Sequence, residues 1–286
     1  MIEASKILPE VPDNKRLGTA VSGSAKTLLG KVYLTLKDYD NAVKILKEVI
    51  DSQQYTFIQN YTELFDADNK NNSESIFEIQ YTEAVTDLGS AFANLFAPIG
   101  SSEVTGGIGA TEGNNEPTQN FYESYNIDDL RRDVSIGQLA DGRIYCKKFV
   151  KKPVLPNQSN ANFVVLRYTD VLLMYAEALN EISYSSSGDA IKYLNEVRQR
   201  AGLQLYTSQQ ITGQDEFRNL IWNERRYEFA FENQRWFDLL RSGKAVEVMS
   251  KSSNGDFVIE PYQLLFPIPQ NQIDIAPDIM KQNDNY

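Results

Sequence analysis

The chain has 286 residues, 42% hydrophobic and 11% aromatic, with one cysteine, no histidine, and 28 basic against 39 acidic side chains for a net charge of −11. That length buries a real core, as one large domain or two small ones. The missing histidine excludes Ser-His-Asp and Cys-His machinery, His-ligated zinc and an imidazole base. A lone Cys146 excludes an internal disulfide and any Cys-cluster metal site, and the acidic balance argues against nucleic acid as a partner. What remains is a soluble, acidic, aromatic-rich protein whose composition points to binding rather than chemistry. No stretch approaches the roughly 18 apolar residues of a membrane helix. The opening Met1-Ile2-Glu3-Ala4-Ser5-Lys6 is not a signal peptide, which suits a cytoplasmic protein and equally a piece of a longer exported chain.

Residues 17–50 carry a repeat signature: Leu29-Gly30, Tyr33, then Ala42, Leu46 and Val49, the tetratricopeptide spacing without its opening Trp and closing Pro. Leu29, Val32, Tyr33 and Leu36 form one apolar stripe at helical spacing, and Ala42, Ile45, Leu46 and Val49 form another. Between them Lys37-Asp38-Tyr39-Asp40 is a polar turn, with Asp38 or Asp40 placed to cap the second helix. Gly30 and Ala42 are small because the two helices approach closely there. Next come a short helix around Tyr61–Phe65 and a strand-like Ser75–Tyr81. Residues 82–163 are rich in Gly, Asn, Thr and Ser, yet contain Phe92, Phe96, Phe121, Tyr122 and Tyr125. Disordered segments are poor in aromatics, so this reads as an ordered loop platform with a functional role. A second copy of the hairpin follows, with Tyr168–Glu181 as its first helix and Ala190–Val197 matching Ala42–Val49 at five of eight positions. Residues 215–241 read as one long helix with Phe217, Ile221, Phe231 and Leu239 on a face that also carries Glu224, Glu228 and Arg235. Charges on a core-facing stripe should be paired. Gly243 is a C-cap, and Pro261, Pro267, Pro269 and Pro277 make the rest an extended tail.

Four blocks of the second half, in order, resemble the SusD/RagB family of outer-membrane nutrient-binding lipoproteins. They are Leu166-Arg167-Tyr168-Thr169-Asp170 running on to Asn180, Leu194–Leu203, Ile221–Glu232 continued by Arg235–Gly243, and Leu265–Pro269 with the closing Gln282–Tyr286. The resemblance spans nearly the whole chain but only the later part of the family pattern, since the lipoprotein signal, lipidated Cys and additional helical region with which the family pattern begins are not among these residues. It implies a mostly α fold of tetratricopeptide-like hairpins, an α-α superhelix with a long loop insertion and an extended tail. Residues 1–286 are then the family's C-terminal domain: hairpin 17–50, ligand-side loops 82–163, second hairpin and long helix 166–243, and tail 244–286. It further implies a non-enzymatic protein without cofactor. Such a protein sits at the outer-membrane surface through a lipid anchor lying outside this chain. It binds an oligosaccharide, in some members a peptide, and closes over a SusC-like TonB-dependent transporter.

Sugar binding needs flat aromatic faces and hydroxyl-bonding side chains. Tyr81, Phe92, Asn94, Phe96, Glu103, Asn114, Asn115, Tyr122 and Tyr125 supply both. The alternative for these rings is to pack the loops onto the helices, as aromatics are more often buried than displayed. Trp222 and Trp236 fall in the helical motif and are expected in the core. Glu224, Glu228, Glu232, Arg235, Asp238 and Arg241 are expected to form structural ion pairs, rather than the carboxylate pair of a glycoside hydrolase. Asp129, Arg131 and Arg132 follow the same logic as an anchor for the loop segment. Gly106–Gly109 is no phosphate loop, since no strand, helix or Lys-Ser/Thr frames it. Asp66–Asn71 is no calcium loop, since Lys70 takes a ligand position and Phe77 replaces the terminal Glu. Two rival readings remain: a tetratricopeptide-type module holding a protein segment in a helical groove, and a glycosidase.

Overall fold

A short helix α1 (Ile2–Ile7) precedes the first helix pair, α2 (Ser22–Thr35) and α3 (Tyr39–Asp51), in a computed structural model that describes residues 1–13, 16–252 and 258–286. Asp38 is the cap of α3: its carboxylate accepts the Asn41 N–H at 3.4 Å and the Asn41 side-chain amide at 2.8 Å. Gly30 is where the two helices meet, because a Cβ there would stand 2.4 Å from Leu46 Cδ2. Ala42, Leu46 and Val49 are buried as expected. The buried face of α2 is different from the expected stripe. It runs through Ala25, Thr27, Leu29, Gly30 and Leu34, while Val32 and Leu36 are 40% and 69% exposed. The small residues decide this, since they alone permit the close approach.

Strand β1 (Ser75–Ile79) follows a 3-10 turn at Tyr61–Leu64. Residues 82–163 then hold three short helices, α4 (Phe92–Phe96), α5 (Gln119–Ser124) and α6 (Arg132–Ser135), and a hairpin of β2 (Ile136–Gln138) with β3 (Ile144–Cys146). Strand β4 (Phe163–Arg167) pairs antiparallel with β1, opposing Ile79 to Phe163 and Ser75 to Arg167. The chain passes from β4 straight into α7 (Tyr168–Ile182), with the Tyr168 N–H on the Glu74 carbonyl at 2.8 Å.

Helix α7 is the centre of the core: Val171, Leu172, Leu173, Met174 and Ala176 are all but inaccessible. A helix apolar on nearly every side must be buried on every side, and α2, α3, α8 (Asp189–Arg200) and α9 (Gln214–Glu228) surround it. The mostly helical fold class expected from the sequence is the observed one. The single long helix over 215–241 is not. Helix α9 stops at Glu228, the chain turns through Phe231 and Asn233 at φ +65° and +61°, and a new helix begins at Arg235. Positive φ at a bulky Phe is unfavourable, and it is retained where Glu232 reaches two buried cations described below.

Two units divide the chain, Met1–Glu232 and Asn233–Tyr286. Within the second, α10 (Arg235–Arg241) and α11 (Ala245–Ser252) are joined through Gly243 at φ +69°, the expected left-handed C-cap, and the Asp238–Arg241 pair closes at 2.8 Å. The tail is not simply extended. Pro261 opens a 3-10 turn (Pro261–Leu264) and Pro269 caps α12 (Gln270–Ile275), positions where a missing N–H costs nothing. Residues 253–257 of that tail lie outside the described residues. Trp236 is half-buried rather than in a core; with Met249, Val258, Ile259 and Phe266 it lines an apolar cleft of about 580 Å³. Among the described residues no helix is long and apolar enough to cross a membrane.

Candidate functional site

The β4–α7 corner brings together charges scattered along the sequence. Arg167 spans three carboxylates, at 2.6 Å from Glu228, 2.8 Å from Glu232 and 3.3 Å from Glu74. Arg200, from the end of α8, holds Glu74 at 2.7 Å and Glu228 at 2.6 Å. Arg131 adds Asp129 at 2.7 Å, Glu224 at 2.6 Å and Glu228 at 3.1 Å, while Lys148 takes Glu232 at 2.8 Å. Thr169 donates a short hydrogen bond to Glu74. The carbonyl of Glu228, at the negative end of α9, accepts from Tyr61, Arg167 and Lys148 at 2.8, 2.9 and 3.0 Å.

All of these side chains are buried, so each ion lost its water and must recover the energy from its partners. Burial disfavours ionised Glu228, but Arg200, Arg167 and Arg131 together outweigh it and hold the carboxyl well below the usual range. Burial likewise opposes the charge on Arg167, and Glu232 and Glu228 more than compensate, raising its pKa. For Lys148 burial wins over Glu232, and its pKa is lowered. Glu224, Glu228, Asp129 and Arg131 all lie in buried ion pairs. Arg235, Asp238 and Arg241 belong to the second unit, with the Asp238–Arg241 pair described above. The sequence reading missed Glu74, Lys148, Arg167 and Arg200, because their partners lie 28 to 126 residues away. The one available signal was apolar sequence around a single charge, as in Val164-Val165-Leu166-Arg167.

The predicted sugar-facing residues are not one surface. Phe92 touches four rings, Tyr81, Phe96, Phe149 and Phe163, at centroid distances of 5.4–5.9 Å. Asn94 is 1% exposed; its amide donates to Ile108 O and Ala110 O at 2.8 and 2.9 Å, and its oxygen accepts from Asn157 N at 3.0 Å. Tyr125 is also buried, edge-on to Phe121 and Tyr227, and burial pushes its hydroxyl pKa upward. Asn94 and Tyr125 are therefore loop scaffolding, since their polar atoms and faces are spent inside the protein. Glu103 and Asn115 are exposed, Glu103 accepting from Ala140 N at 3.2 Å. Tyr122 is half-buried with the Arg132 guanidinium 5.2 Å over its ring. Trp222 is half-buried too, its indole N–H on Glu177 at 3.1 Å.

A second polar cluster closes the far end of β1. Lys70 Nζ donates to the Tyr81 carbonyl at 2.7 Å and to Asn160 Oδ1 at 2.6 Å. Asn71 and Gln80 exchange amide hydrogen bonds at 2.8 and 2.9 Å, and Asn162 links Tyr81 N, Glu78 and Gln80 at 2.7–3.0 Å. Lys70 makes no ion pair within 4.0 Å among the described residues; burial lowers its pKa, against the raising influence of Glu78, Glu83 and Asp68 nearby.

Comparison with known proteins matches this architecture. The SusD family profile covers residues 115–286, more than half of the chain. A SusD-like protein of Formosa agariphila is 28% identical over 325 aligned residues, 99% of this chain and 63% of that protein. Among solved structures, surface glycan-binding protein A from Bacteroides thetaiotaomicron in complex with laminarihexaose superposes with a TM-score of 0.83 at 27% identity, over 97% of this chain and 67% of that one. A SusD superfamily protein from Parabacteroides distasonis gives 0.86 at 28% identity, over 100% and 67%. The chain spans about 63% of the length of the first of these relatives. A family profile matched over more than half of the chain, with these relatives beside it, leads to one conclusion: the chain belongs to the SusD family.

Proposed function

We propose that this chain is a non-catalytic glycan-binding protein of the outer-membrane surface, which captures an oligosaccharide for delivery to a SusC-like TonB-dependent transporter. The observation that carries the reading is the likeness, over nearly the whole chain, to a protein whose structure holds laminarihexaose. The electrostatics support the absence of catalysis. A glycoside hydrolase needs one carboxyl protonated and both open to substrate. Here Glu224, Glu228 and Glu232 are buried against arginine and lysine, and Glu228 is held ionised.

The rival, a peptide held by the helices, has a specific place: a cleft of about 490 Å³ among α1, α2 and α3, lined by Ile2, Lys26, Tyr33, Lys44, Ile45 and Glu48. Calorimetric titration with a panel of oligosaccharides including laminarihexaose separates the two. Saturable binding without release of reducing ends is the expected result. A chain inert to every glycan, but binding a peptide competed away by Lys44→Glu, would move the function to the helical cleft.

A further inference from the structure

Residues 115–124 are tied down at both ends and hardly at all between them. On one side Glu112, Gly113 and Asn114 donate their backbone N–H groups to Asn94 O, Ala97 O and Leu95 O at 3.0, 2.9 and 2.7 Å. On the other Tyr125 is buried, Leu130 N donates to Ala201 O at 3.0 Å, and Arg131 sits in the charged corner. In the stretch between, which contains α5, every residue but Pro117, Phe121 and Tyr122 is exposed. Among the described residues it makes one hydrogen bond beyond itself and its immediate neighbours, accepted by Ser124 O from the Tyr227 hydroxyl at 2.9 Å. A segment with so few buried contacts opens at a fraction of the free energy of global unfolding.

What holds it is a latch of rings. Phe121 lies parallel to Tyr227 of α9, 8° off and 6.1 Å between centroids, and the Arg226 guanidinium stands 5.1 Å over the Phe121 ring. Phe231 meets Phe121 edge-on at 76° and 6.1 Å, and Arg132 covers Tyr122 at 5.2 Å. Phe121 is the one ring partner of Phe231 among the described residues, and Phe231 keeps that place at φ +65°. Strain of this kind is retained at clamps and switches. Gly113 and Asn115, at φ +64° and +56°, turn the chain at one end of the segment. Tyr125, whose hydroxyl donates to Tyr227 O at 3.3 Å, pins the other.

We infer that residues 115–124 form a strap that swings off α9 as a unit while the core stays folded, latched by the Phe121 ring on Tyr227 and Phe231. The open strap uncovers the Tyr227 and Phe231 rings, and it carries Asn115 and Tyr122 away from the body together. The strap stands independently of the glycan-binding reading.

Hydrogen exchange on the whole chain, followed at the hydrogen-bonded amides of Tyr122 and Tyr125 and at those of α7, tests this alongside thermal melts. In the parent the α5 amides should exchange far faster than those of α7, by local opening. Phe121→Ala should speed them about tenfold more, through the lost ring contacts. Tyr227→Phe, which keeps the ring and loses the hydroxyl, should speed them about threefold. Neither variant should change α7 exchange or the melting temperature. Phe231→Gly takes away a latch ring and at the same time frees the strained backbone, so it should loosen the strap and melt with the parent. If the α5 and α7 amides of the parent exchange at one common rate, the segment does not open by itself and the strap is wrong. Unchanged α5 exchange in both Phe121→Ala and Phe231→Gly, or faster exchange that spreads equally to α7 in both, also overturns it.

Discussion

The two ends of β1 carry polar clusters built on opposite plans. At Glu74, before the strand, the charges are fully buried and every acid is matched to a guanidinium or ammonium. At Gln80 and Tyr81, after the strand, Lys70, Asn71 and Asn160 are half-exposed, Gln80 is exposed and only Asn162 and Glu78 are buried. The contacts there are hydrogen bonds through amides and one lysine, with no ion pair among the described residues. Burial accounts for the contrast. An ion taken from water costs several kcal/mol unless fully repaid, so the inner cluster is nearly saturated, with Arg200 Nε left without a hydrogen-bond partner among the described residues. Most of the outer cluster remains near water, where an unmade bond costs little. The inner knot ties the strand to the helices; the outer one closes the strand's far end with fewer and weaker constraints.

The comparison breaks most directly at Arg167. Arg167→Met takes one cation from each of Glu74, Glu228 and Glu232 in the core, leaving them to Arg200, Arg131 and Lys148, and should cost about 3–5 kcal/mol, read from the urea midpoint at constant slope. A loss below about 1 kcal/mol would mean that the corner is hydrated. Acid should reach the same knot. The folded pKa of Glu228 is depressed, so its contribution is complete above the ordinary glutamate pKa of about 4.3 and declines as pH falls below it. Denaturation midpoints should thus be level from neutrality to mildly acid pH and drop at lower pH, and the drop attributable to this group should vanish in Glu228→Gln. The outer cluster should give the smallest response: Lys70→Ala removes two hydrogen bonds at a half-exposed site, about 1–2 kcal/mol. An effect as large as that of Arg167→Met would show the two clusters to be alike.

Legibility from the sequence followed range. The Asp38 cap and the Gly243 C-cap are set within a few residues or by backbone alone, the Gly30 contact with Leu46 lies within one helix pair, and each was visible in the string. The pairing of Glu224 and Glu228 could be anticipated from their place on an apolar face, but not their partners, since Arg131 lies 93 residues from Glu224. The long helix over 215–241 failed for a related reason. Its periodicity continues through Phe231 and Leu239, and only the capture of Glu232 by Arg167 and Lys148 accompanies the break. Asn94 looked like a sugar ligand because composition cannot tell a displayed amide from one closing a loop.

By itself, the sequence determined the helical class, the two helix pairs, the ordered aromatic loop, the exclusion of histidine and cysteine chemistry, and the resemblance to the SusD family through the Leu166–Gly243 blocks. Periodicity, capping and motif spacing are properties of neighbours along the chain. Tertiary structure alone decided which charges meet at the β4–α7 corner, that Phe92 belongs to a packed ring cluster, and that Lys70 bridges Asn160 and the Tyr81 carbonyl. Those facts depend on antiparallel pairing of β1 with β4 across some 84 residues, and no local signal encodes a contact between segments so far apart.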